Sequence, residues 1–197
     1  MAETLAIEQK KNVEVPIEWL QIEKIKYDWT LQSIEIRCRV VNPNEDDSDK
    51  NSVRYDVEKG KLPHKDFANA LRDLRQDVVT ICEIYMTEEN FQKEVARIKV
   101  TGLSLSYSHD VLGVVIAAQR ELLHSSAPLN LNTPHKIETL YGEEGDESQV
   151  MDPYTRQRIV AVMEEALLYI QGKRKPDPQQ DIFSQTEEKK ERKGKPT

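Results

Sequence analysis

Between Ile98 and Pro134 the chain reads as three consecutive strands separated by turns, and no other stretch restricts the fold as strongly. Ile98–Tyr107 alternates apolar and polar residues, the pattern of a strand with one buried and one wet face. Val111–Leu122 holds a continuous apolar run, which predicts a strand buried on both faces, and Leu129–Thr133 resumes a short alternation. Gly102, inside the first of these strands, predicts a bulge or a close backbone approach.

Upstream, Leu20–Trp29 and Leu31–Val41 predict a hairpin. In the second arm Ile34, Ile36, Cys38 and Val40 fall on one face while Glu35, Arg37 and Arg39 fall on the other, as in an antiparallel strand with one solvated side. Pro43 and the Asn and Asp residues of Asn42–Asp49 end it, because proline cannot donate to a ladder and Asn/Asp favour turns. Val53–Val57 predicts a further short strand.

Two helices are marked by period. Phe67, Leu71, Leu74, Val78, Ile81 and Tyr85 recur at spacings of three and four, one stripe of a 3.6-residue repeat, with Pro63 at the entry. Thr87–Phe91 is read as the lead into the meander. In the second helix Asp152 caps the free amides, Pro153 suits the first helical position, and Ile159, Val162, Met163, Ala166, Leu167 and Ile170 form the stripe. Gly172 is placed to end it in the left-handed conformation, and Lys173, Arg174 and Lys175 lie where cations complement the helix dipole.

The order strand–strand–(strand)–helix–three strands–helix predicts an α+β fold: an antiparallel sheet of about five strands with two amphipathic helices packed on it. One domain spans residues 16–172, between a polar arm at residues 1–15 and a charged tail at residues 173–197 that is expected to be disordered.

Apolar residues make up 38% of the 197 residues, a low share caused by the polar segments 42–52, 142–152 and 172–197. What remains is long enough to bury a core without disulfides or metals. Cys38 and Cys82 fall among apolar neighbours and read as small buried hydrophobes in a reducing compartment. Met1–Lys11 lacks the apolar core of a secretory signal, and the run Val111–Ala118 is too short to span a membrane, so a cytoplasmic protein without membrane contact is expected. Net charge is −7, but from Gln171 onward eight basic residues face five acidic ones, leaving the rest at −10. Duplex DNA draws its binders chiefly through phosphate neutralisation, and such an acidic body disfavours that role.

Catalytic chemistry finds little footing. His64, His109, His124 and His135 show no metal-ligand spacing with one another or with cysteine. Asp46, Asp47 and Asp49, like Glu143, Glu144, Asp146 and Glu147, lie in polar segments that read as solvated linkers rather than rigid cation sites. Glu94 and Lys99 suggest a nuclease pair but lack an upstream carboxylate partner at a strand end. Ser104, Ser106 and Ser108 share one strand face with no nucleophile elbow around them, and no phosphate-binding loop or Cys-x-x-Cys pair occurs. Thr133-Pro134-His135 reads as a strand terminator.

The expectation is therefore a non-catalytic interaction or assembly protein, without cofactor or metal. It associates with itself as a homo-oligomer, through a sheet edge or helix face, or with another protein. Its size, acidic body and charged tails would suit an accessory protein of a phage or mobile element. The alternative is single-stranded nucleic-acid binding on an exposed sheet face, with Arg37, Arg39, Tyr107, Lys173, Arg174 and Lys175 contributing. Trp19, Tyr27, Trp29 and Tyr55 also lie on or near predicted strands.

Overall fold

The structure is a computed structural model that describes residues 17–41, 52–56, 62–85, 87–108, 111–139 and 147–175. The expected N-terminal arm, the loop from Asn42, His109, most of the Glu143–Glu147 run and the tail beyond Lys175 lie outside the described residues.

The strands are β1 (Leu20–Asp28), β2 (Ser33–Val40), β3 (Ser52–Asp56), β4 (Ile98–Ser108), β5 (Val111–Leu122), β6 (Ser125–Asn132) and β7 (Lys136–Ile137). All pair antiparallel in one sheet of order β3-β2-β1-β4-β5-β6, with β7 beside β5. The α+β architecture read from the sequence is the one observed. The sheet gains β7, and β6 starts at Ser125, ahead of the alternation that marks it in sequence.

Alternation decides which side of each strand is covered. Ile36, Ile25, Leu103 and Ile116 stand opposite one another on β2, β1, β4 and β5, and each is almost fully buried. The turn from β1 to β2 is set by Asp28, whose carboxylate accepts from the amides of Thr30 and Leu31 at 2.8 and 3.0 Å. β1 meets β4 only over Lys24–Lys26 against Gly102–Ser104. There a Cβ on Gly102 would lie 2.2 Å from the Ile25 carbonyl oxygen, and the β4–β5 register shifts between Val100 and Gly102. The glycine thus serves both purposes that its position in a strand suggested. On β5 the continuous apolar run is fully buried on one side, while Val115 and Ala117 on the other are half-buried.

The helices are α1 (Lys65–Asp73), α2 (Arg75–Ile81), α3 (Glu88–Arg97) and α4 (Pro153–Ile170). α1 and α2 carry the first predicted stripe, interrupted at Leu74, which keeps right-handed dihedrals so that Phe67, Leu71, Leu74 and Val78 still share one buried face. The stripe does not reach Tyr85. Glu83 adopts φ 51° after α2 ends, and Tyr85 is left exposed against Phe91, their rings 5.2 Å apart. Thr87–Phe91, read as a lead-in, instead opens α3. That helix has no fully buried residue and is tied down by charge: Glu94 pairs with Arg97 at 2.9 Å and with Arg120 of β5 at 2.8 Å.

α4 has the ends that its sequence predicts. Asp152 accepts from the amides of Tyr154 and Thr155 at 2.8 and 3.2 Å. At the other end Gly172 takes φ 108°, its amide reaching Tyr169 O and that of Lys173 reaching Leu168 O, the two bonds of a Schellman motif. Ile159, Val162 and Ala166 of α4 join Phe67 and Leu71 in the core over the Ile25–Leu103 side of the sheet. Each buried leucine, isoleucine or phenylalanine contributes about 1.5–3 kcal/mol by area.

Candidate functional site

Because the helices gather over one side of the sheet, the opposite side is open among the described residues. Its rows follow from the strand register. Lys24 stands opposite Ser104 on β4 and Arg37 on β2, and Arg37 is in turn registered with Arg54 on β3. Like charges directly opposite destabilise a sheet. Lys24 and Arg37 have no ion-pair partner among the described residues. The next row is neutralised, Lys26 lying 3.5 Å from Glu35. A cleft of about 850 Å³ runs over this side, lined by Lys24, Lys26, Lys99, Ser104, Gln119 and Asn132 among others.

The six residues proposed to bind single strands are not brought together. Arg37 is exposed on the open side. Arg39, two residues along, is engaged by Gln21 at 2.7 Å and Glu23 at 3.5 Å. Tyr107 is opposite Leu112 on the helix-covered side, and its hydroxyl donates to Ile22 O at 3.0 Å. Burial pushes that phenol up to about 12, with a smaller push from neighbouring Cys38. Lys173, Arg174 and Lys175 close α4 instead. The Lys173 ammonium bonds Glu165 at 2.8 Å and Asp66 at 2.9 Å, contacts that raise its pKa. Arg174 stacks 3.5 Å from the Tyr169 ring centroid, and the Lys175 amide donates to Leu62 O. Nor do Tyr27 and Trp29 offer free faces. Tyr27 packs on Phe67 of α1, and Trp29 donates to Val100 O at 2.7 Å beneath the Arg72 guanidinium.

At the far edge β5 and β6 form a hairpin whose end runs past the start of β4, since Ile98 pairs with Arg120 and nothing on β4 reaches Leu122. Leu122, Leu123 and Leu129 there expose 37%, 77% and 45% of their surface. Among the described residues no strand covers the outer rim of β6.

The remaining polar groups mostly hold the fold. Glu94 and Lys99 go to separate partners, the first to Arg97 and Arg120 and the second to Glu121 at 2.6 Å. His64 caps α1. Asp77, 3% exposed, is held by Arg158 Nη2 and Nε at 2.6 and 2.7 Å and by the Thr155 hydroxyl at 2.6 Å. That hydroxyl also lies 2.5 Å from Asp152, and with one proton it serves one carboxylate at a time. Cys38 is buried and its thiol is pushed up to about 12 by desolvation and by Glu23; burial also raises Cys82. Among the described residues no three His, Cys, Asp or Glu gather as a metal site, and no helix is long and apolar enough to cross a membrane.

Sequence reasoning missed two features: the exposed leucines of the hairpin, legible only as Leu122-Leu123 beside the turn, and a pairing of Ser106 with His135 at 3.0 Å, which no local pattern announces. Comparison with known proteins gives no match to a family model, to a curated protein or to a solved structure.

Proposed function

We propose that this chain is a non-catalytic assembly protein that pairs with a second copy of itself along the β6 edge. The observation that carries the reading is the hairpin end, where three exposed leucines adjoin a strand with no neighbour on its outer side among the described residues. Exposed edges attract further strands, and a two-fold axis beside β6 would continue the sheet antiparallel while burying Leu123 and Leu129 of both copies. Pro128 removes one donor from the strand, which shortens the ladder and leaves more of the contact to side chains. Light scattering and sedimentation at micromolar concentration should give twice the chain mass. Leu123→Asp with Leu129→Asp should return the mass to that of one chain with unchanged helical circular dichroism. A wild-type chain that stays monomeric into the millimolar range removes the proposal.

A second reading, single-stranded nucleic-acid binding on the open side, is favoured by the row Lys24 and Arg37. It rests on backbone phosphates rather than stacking, because Tyr107 points to the other side. Fluorescence anisotropy with a labelled oligonucleotide should then show affinity that falls as salt rises, by a slope of about −0.7 per phosphate contacted. Arg37→Glu should abolish it. Undetectable binding at low salt ends this reading and leaves the first.

A further inference from the structure

We propose that Ser106 is an activated nucleophile, a site for covalent acylation, with His135 as its base. Ser106 Oγ and His135 Nε2 lie 3.0 Å apart and both side chains are exposed on the open side of the sheet, away from the β6 rim. With Nε2 unprotonated the serine hydroxyl donates to it, the geometry of a nucleophile and its base.

Three features make this more than a chance contact. Ser106 stands opposite Gly113, and a Cβ on Gly113 would lie 2.4 Å from Nε2 and 2.5 Å from Oγ, so only glycine lets the ring lie across the strand. His135 is anchored on both flanks. Before it, the Thr133 hydroxyl accepts from the Ile116 amide at 2.9 Å while the Thr133 amide donates to Ile116 O at 3.0 Å. After it, Lys136 and Ile137 pair with Val114 and Gly113, and the Glu138 amide reaches Leu112 O at 2.8 Å. Ser106 itself sits on a long strand rather than a loop. Base and hydroxyl are therefore held on one rigid support.

The donor is an activated ester. Ser106 Oγ attacks its carbonyl carbon as the hydroxyl proton passes to Nε2. The bond from that carbon to the leaving oxygen breaks, and the proton moves from the imidazolium to the departing alkoxide, giving acyl-Ser106 and an alcohol. The step that the experiment reads is this first acylation, one acyl group per chain.

Ser104 supplies the control within the same molecule. It is two residues away, exposed on the same side and opposite Val115, with no histidine bonded to it among the described residues. The folded chain is treated with p-nitrophenyl acetate and the acetylated peptides are resolved by mass spectrometry. Label should accumulate at Ser106 ~100-fold faster than at Ser104, the low end of what a positioned base supplies. His135→Gln, whose amide can still accept the hydrogen bond but not the proton, should bring Ser106 to the rate of Ser104. Gly113→Ala should do the same with both partners still present. Equal labelling of Ser104 and Ser106 in the wild-type chain, or an unchanged rate in His135→Gln, overturns the proposal and leaves the contact a loop tether.

Discussion

Asp77 shows how a single buried charge can join two helices that the sequence leaves unconnected. Its carboxylate, on α2, accepts two hydrogen bonds from Arg158 of α4 and shares the Thr155 hydroxyl with Asp152, and the bond that Arg158 donates to it is the largest influence raising the pKa of Arg158. Removing one partner of such a pair costs about 3–5 kcal/mol. Arg158 keeps part of its surface in water, so Asp77→Ala should fall near the lower end, ~3 kcal/mol. Arg158→Ala should cost more, because the charge it strands is the deeper one. Urea unfolding with an unchanged m-value measures both; a loss under 1 kcal/mol for Asp77→Ala would mean the pair behaves as a surface bridge. Nothing near Asp77 in sequence distinguishes it from its exposed neighbour Asp73, because its partners lie on α4, far along the chain. Asp152 was legible, since a cap is read from the residues that follow it.

At the scale of elements, strands and caps were readable wherever local pattern and burial agree. Strands β4 and β5, the Gly102 bulge and both ends of α4 follow from alternation and end signals alone. α3 was not, because its Phe91 and Val95 make too thin a stripe; only Thr87 with Glu88 and Glu89 ahead, and Arg97 behind, marked its ends. The cap of α4 carries a pH dependence. Burial would raise the Asp152 carboxyl, but bonds from the Thr155 hydroxyl and from the Tyr154 and Thr155 amides, with the Arg158 charge, hold it below its ordinary value. A carboxylate depressed in the folded state stabilises fully above its unfolded pKa, about 3.9, and loses that contribution as pH falls through the lower folded value. Urea midpoints should therefore drop in that acid window for the wild-type chain and drop less for Asp152→Asn, which keeps the cap without the charge. Parallel acid curves for the two chains would assign the effect elsewhere.

For the whole molecule, the pairing puts the best-protected backbone at β5, laddered along both edges by β4 and by β6 and β7, and the least protected at β3 and β6. Amide hydrogen exchange should rank the strands that way at low protein concentration. Raising the concentration should slow exchange in β6 and leave β3 unchanged if copies join at that rim; equal slowing of both would place the contact elsewhere. An exposed sheet face bearing Arg37 was expected from the sequence, but the row that joins Arg37 to Lys24 was not. Strand alternation tells which residues share a side, but which side the helices cover depends on how distant segments pack.

The short seam between β1 and β4 also governs the order in which the molecule comes together. β1 to β3 form one local unit and β4 to β7 another, and among the described residues the one ladder between them is Lys24–Lys26 against Gly102–Ser104, flanked by the Trp29 and Tyr107 side-chain bonds, across a long separation in the chain. Closing so distant a contact is entropically slow, so the two halves form first and the seam last. Gly102→Ala, which forces a methyl against the Ile25 carbonyl, should cost about 3 kcal/mol. In stopped-flow kinetics nearly all of that loss should appear as faster unfolding, with the folding rate almost untouched. The same late step leaves each half waiting beside its complement, and in a crowded solution the complement nearest to hand can belong to another chain.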